Sequence, residues 1–104
     1  MWTPDYYREN DPDQLTKVIR QFPFAAVSSH GEGGLCATHF PMIIDSENPL
    51  RLIGHIAREN QQWHHWKDGG EALAVFTGPH TYINPSAYQM DNAVPTWNYI
   101  AVHA

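Results

Sequence analysis

At 104 residues the chain has room for one small domain, and its 42 % hydrophobic content is that of an ordinary globular protein with a thin stability margin. Eleven acids against six scattered bases give a formal charge of −5, without the clustered Lys and Arg on which nucleic-acid binding normally relies. No apolar run approaches the roughly 20 residues of a membrane span, the N-terminus lacks an apolar signal core, and a lone Cys36 excludes an internal disulfide, so a reducing cytoplasm is the expected setting.

The first element is a helix over 12–22. Asp11 is a capping residue, Pro12 suits the first helical position, and Gln14 stands where a capping box wants it. Leu15, Val18, Ile19 and Phe22 fall on one apolar stripe, and Pro23 ends the helix. Phe24 to Ser29 reads as a strand, and His30-Gly31-Glu32-Gly33-Gly34 as a turn tolerant of positive φ. Leu35 to Ile44 reads as the hairpin partner, with Pro41 marking an edge or a bulge. A turn at 45–49 precedes a strand over Leu50 to Ile56. Asn60 caps a short helix through Lys67 that sets Trp63 and Trp66 on one face, and Gly69-Gly70 stops it. Glu71 to Thr77 is a strand broken by Gly78-Pro79, and Thr81 to Ile83 a short one. The chain closes on Val94 to Ala104, rich in residues that favour a pleated surface and followed by no stop signal. This predicts either a fragment or a strand completed by another chain.

About six short strands and two helices do not alternate regularly, which argues against a parallel doubly wound sheet. The expected fold is mainly β: a small antiparallel barrel with flanking helices.

Seven histidines do not make a metal site. His64 and His65 are adjacent, so on a helix they point about 100° apart, and there is no H-x-x-x-H and only one Cys. Cys36 is expected to be a buried thiol with no base beside it. No serine sits in a nucleophile motif and no glycine run cradles a phosphate in the G-x-x-x-x-G-K manner. The better segment is Gly54-His55-Ile56-Ala57-Arg58-Glu59-Asn60, which runs from a strand end to a helix start and carries three donors. Arg58 there is either an anion seat or an ordinary surface arginine. In Ala37-Thr38-His39-Phe40-Pro41, alternation puts Thr38 and Phe40 on one face and His39 on the other, so that a hydroxyl donor stands beside an aromatic ring.

Six segments in order resemble the PaiB-type FMN-binding transcriptional regulators: Met1-x-x-Pro4-x-Tyr6-Tyr7, Pro23-Phe24-Ala25, Ala37 to Pro41, Gly54-His55-Ile56-Ala57-Arg58-x-Asn60, Phe76-x-Gly78-Pro79-His80-x-Tyr82-Ile83-x-Pro85-Ser86, and Val94-Pro95-Thr96-Trp97-Asn98-Tyr99-x-Ala101-Val102-His103. Members of that family continue further, and this chain stops inside the pattern. The resemblance implies an FMN-binding split β-barrel like that of pyridoxamine-phosphate oxidase and flavin reductases, incomplete at the C-terminus, over residues 1–104. It implies a homodimer with FMN at the interface. It places Thr38 and His39 beside the flavin, His55, Arg58 and Asn60 near its phosphate, and Trp97 and Asn98 in the partner's site. It carries the label of a negative regulator, although the charge distribution argues against direct DNA contact. A regulatory module is therefore the first expectation and a flavin-dependent oxidoreductase of the split-barrel class the second. A dimerisation domain without ligand is the third.

Overall fold

The computed structural model describes residues 2–83 and 96–104, with side chains described for 2–80 and 100–104. A 3-10 turn at Asp5–Tyr7 precedes helix α1 (Pro12–Gln21), strands β1 (Phe24–Gly31), β2 (Gly34–Pro41), β3 (Ile43–Glu47) and β4 (Leu50–Ile53), a 3-10 helix (Gln61–Trp66), and strands β5 (Leu73–Ile83) and β6 (Thr96–His103). The strands make a four-stranded sheet in the order β2-β1-β5-β6 and a separate β3-β4 ribbon, antiparallel throughout. The fold is thus mainly antiparallel β with flanking helices. Among the described residues the large sheet keeps two edges, β2 and β6, so it is split rather than closed.

Helix α1 forms where its cap and stripe predict. The Asp11 side chain accepts from Asp13 N–H at 3.0 Å, and Pro12 opens the first turn. The capping box differs: Glu9, not Gln14, accepts the Asp11 backbone N–H, at 2.9 Å. Ile19 is the centre of the apolar stripe at 1 % exposure, with Leu15 and Val18 packed around it. The core that α1 covers is the inner face of the sheet: Ala25 and Val27 of β1, Ala74 and Phe76 of β5, and Val102 of β6. Alternation along β1 buries Ala25, Val27 and Ser29 in turn. Two ion pairs tie the ribbon, Arg20 to Glu47 at 2.6 Å and Arg51 to Asp45 at 3.4 Å. Both are exposed and contribute little to stability.

Three sequence expectations change. The single strand expected over Leu35 to Ile44 is two strands in two sheets. Pro41 has no N–H to continue the ladder, and Met42 N–H turns to Pro23 O at 2.9 Å. The strand expected to reach Ile56 stops at Ile53, and Gly54 lets the Phe40 ring lie against its backbone, where a Cβ would come within 2.7 Å. The break expected at Gly78-Pro79 is a bulge inside one long strand, since the β5–β6 register shifts between Thr77 and His80 and then resumes. At the C-terminus, Ala104 exchanges both backbone hydrogen bonds with Ala74 at 2.8 Å, so one side of the closing strand is paired within the chain.

Candidate functional site

The inner faces of β1 and β2 carry a polar cluster that the 3-10 helix covers. Val27 pairs with Thr38 and Ser29 with Cys36 across the two strands, so all four share one face. Asn60 caps the 3-10 helix by accepting the Gln62 backbone N–H at 3.0 Å. That cap aims Gln62 inward, and Gln62 is 2 % exposed. Its Nε2 donates to Val27 O at 3.0 Å, Ser29 Oγ at 2.9 Å and Cys36 O at 3.2 Å, and its Oε1 accepts a short hydrogen bond from Thr38 Oγ1. Asn60 Nδ2 donates to Thr38 Oγ1 at 2.9 Å. Every polar end of Gln62 is satisfied, which is what a buried amide requires.

The cluster extends to His65, whose Nδ1 lies 2.8 Å from Ser29 Oγ. Cys36 Sγ lies 3.9 Å from Nδ1 and 3.7 Å from Nε2. Near-equal distances put the sulfur off the line of either nitrogen lone pair. Cys36 is exposed, not buried, and has an imidazole beside it, which corrects both halves of the sequence expectation. The ring is seated on Gly31, where a Cβ would stand 2.0 Å from it. Gly31→Ala must therefore displace His65 and its bond to Ser29. The expected cost is about 1–3 kcal/mol, the range for overpacking, read by urea denaturation; an unchanged midpoint would show that the ring is not held there.

Beside this cluster lies a cavity of about 250 Å³ whose lining includes Val27, Phe40, Met42, His55, Ile56 and Trp66. Trp66 Nε1 is buried and has no hydrogen-bond acceptor among the described residues. Arg58 follows in the turn before Asn60. Its carbonyl accepts from Trp63 Nε1 at 2.8 Å, and its side chain is exposed. Among the described residues Arg20 and Arg51 are in ion pairs and Arg8 Nη2 donates to Thr3 O, whereas the Arg58 guanidinium has no such partner.

The sequence-derived candidates thus fall into three places. Thr38 and Asn60 meet through a direct hydrogen bond, and His55 lines the adjoining cavity at the start of the segment that ends in Arg58. His39 stands on the opposite face of β2, stacked on Phe24 with ring centroids 5.6 Å apart. Trp97 and Asn98 pair in register with Tyr82 and Thr81, and their side chains lie outside the described residues. Two roles change. Thr38 gives its proton to Gln62, so it is not a free hydroxyl donor. The Asn60 amide is engaged by Gln62 and Thr38. Sequence reasoning missed Gln62, Ser29, His65 and Trp66. The alternation that buries Val27 also buries Ser29, and Gln62 sits two residues past a cap, where Asx side chains receive an N–H. No pattern in the sequence marked His65.

Among the described residues no group of three or more His, Cys, Asp or Glu is placed to hold a metal ion, and no helix is long and apolar enough to cross a membrane. The sequence profile described as "Putative FMN-binding domain" matches residues 1–104. The chain is 35 % identical over 104 residues to the Bacillus subtilis "Protease synthase and sporulation protein PAI 2", covering 99 % of this chain and 50 % of that protein. An uncharacterized Saccharomyces cerevisiae protein is 34 % identical over 76 residues, covering 67 % of this chain and 45 % of its own length. An uncharacterized Aspergillus fumigatus protein is 28 % identical over 127 residues, covering 86 % and 49 %. The chain spans about half the length of these curated relatives. With its split antiparallel sheet and a profile match from end to end, the chain belongs to this FMN-binding domain family.

Proposed function

We propose that this chain is the FMN-binding module of a regulatory protein of the PaiB type, acting in the cytoplasm as a homodimer that holds the flavin between its copies. The observation that carries the reading is Arg58. In a chain of net charge −5, it is an arginine left without an ion-pair or hydrogen-bond partner among the described residues, and it closes the segment that begins in the cavity wall at His55. A flavin mononucleotide needs a counter-charge for its phosphate, an apolar wall for its ring and polar groups for the ring edge. Arg58 would supply the first, Phe40, Met42 and Ile56 of the cavity wall the second, and Thr38 of the adjoining cluster and Trp66 Nε1, without an acceptor among the described residues, the third. The residues fit the group. Bound flavin supplies reversible electron transfer; the chain's own part is to bind and orient it.

Two features favour a shared site. The cavity of about 250 Å³ lies below the roughly 300–1,000 Å³ of small-molecule pockets, which favours a cofactor shared with a second copy. The outer face of the sheet carries Phe24, Leu35 and Leu73, with Leu35 at 83 % exposure. Exposed apolar side chains on this face favour an association surface, which a two-fold dimer would cover on both copies. The outer position of His39 suits a flavin reached from two copies. Trp97 and Asn98, on edge strand β6, are assigned to the partner's site on the family resemblance. Regulation is not assigned to direct DNA contact by this segment, because two of its six bases are already paired with acids. Sedimentation at micromolar concentration is expected to give a dimer; a stable monomer with FMN present would contradict the shared site.

A further inference from the structure

We infer that Gln62 is a positioning residue that fixes Thr38 as a hydrogen-bond acceptor, so that the part of the flavin seated against Thr38 is one that carries an N–H or O–H. The inference rests on the reading that Thr38 lies beside the flavin.

The direction of each hydrogen bond follows from the partners. One end of the Gln62 amide faces the carbonyl oxygens of Val27 and Cys36 at 3.0 and 3.2 Å. Carbonyls only accept, so that end is the NH₂ group and the other is Oε1. Oε1 has no proton, so the Thr38 hydroxyl donates to it. The same logic orients Asn60. Its oxygen takes the Gln62 backbone N–H at 3.0 Å, which leaves Nδ2 to donate to Thr38 Oγ1 at 2.9 Å. A hydroxyl has one proton and two lone pairs. Gln62 takes the proton and Asn60 takes one lone pair. One lone pair remains on a half-buried residue.

The arrangement resists reversal. Turning the Gln62 amide over would set its oxygen against two carbonyl oxygens in a residue that is 2 % exposed. Thr38 is therefore held as an acceptor before any ligand arrives. Phosphate oxygens and the ring carbonyls of a flavin are acceptors and find no donor in it. The donors of oxidised FMN are the ring imide N–H and the ribityl hydroxyls, and riboflavin has both. Thr38 thus reads the part of the ligand that the two flavins share, whereas Arg58 reads the phosphate that distinguishes them.

The test is a thermodynamic cycle on flavin affinity, followed by fluorescence with FMN and riboflavin. Thr38→Val is expected to weaken both flavins by the same factor, about 3- to 10-fold, the worth of one neutral hydrogen bond. Gln62→Met is expected to do the same, and the double variant to bind no more weakly than the weaker single, because both changes remove one contact. Thr38→Ser keeps the hydroxyl and its bonds to Gln62 and Asn60, and is expected to leave both affinities within about twofold of the parent, with little risk to the buried core. If Gln62→Met does not fold, the contrast between Thr38→Val and Thr38→Ser decides the matter, and equal losses in the two would overturn the inference. Losses that multiply in the double variant assign Gln62 a general structural role and overturn the inference. So does a Thr38→Val change that affects FMN alone, which would place Thr38 at the phosphate. A parent chain that binds neither flavin overturns the underlying site, and this role with it.

Discussion

Truncating Phe76 to alanine is expected to lower the unfolding free energy by about 3–5 kcal/mol. Phe76 is fully buried in β5, and its cross-strand partner Val102 of β6 is buried with it. The described core holds six buried apolar side chains, of which Ala25 and Ala74 are alanines. Small residues on β1 and β5 make the space that the Phe76 ring fills, and none of them can grow to fill it again. The loss is therefore the transfer energy of the ring plus an unrelieved cavity. A domain of this size has about 5–15 kcal/mol in hand, so the variant stands near the limit of folding. Urea denaturation with an unchanged m-value checks it. A loss below about 1 kcal/mol would mean that the sheet is not packed around this ring.

Replacing Arg58 by alanine is expected to weaken FMN by about 1.5–3 kcal/mol, the worth of a hydrogen bond to a charged group, and to leave riboflavin affinity unchanged. The terminal phosphate is the only difference between the two ligands, so a contact to it must appear in one and not in the other. Arg58 is exposed and free of intramolecular ion pairs among the described residues, so its removal costs the fold little. Melting temperature is expected to stay where it is, which separates loss of a ligand contact from loss of structure. Salt should weaken FMN binding by the parent more than by the variant, because screening acts on the lost charge pair. Equal losses for both flavins, or none for either, would remove Arg58 from the site.

The sequence made legible those features that depend on local rules. Asp11 and Pro12 start a helix, Asn60 caps a turn, and alternation separates Thr38 from His39. What it hid depends on contacts between distant segments. Pro41 could end a strand or kink it, and only the hydrogen bond from Met42 to Pro23 decides that the chain leaves for a second sheet. Gly78-Pro79 reads as a break, yet a bulge absorbs it because Thr77 and His80 both find partners on β6. Six residues after Asn60 make a 3-10 helix rather than an α-helix, and that choice turns Gln62 beneath β1 and β2. Alternation put Thr38 beside Phe40 and the family resemblance implied a flavin next to it, but the polarity of its hydroxyl is set by an amide 24 residues away. A site built from donors and acceptors is therefore less visible in sequence than the strands that carry it.

The central claim is that this chain binds FMN through its phosphate. The most direct measurement is the equilibrium titration of the purified, flavin-free chain with FMN and with riboflavin, followed by the change in flavin absorbance and fluorescence. Saturable FMN binding, tighter than riboflavin by at least about tenfold, is the predicted result, since one charged contact to the phosphate is worth at least that ratio. No saturable binding of FMN, or equal affinity for the two, would contradict it.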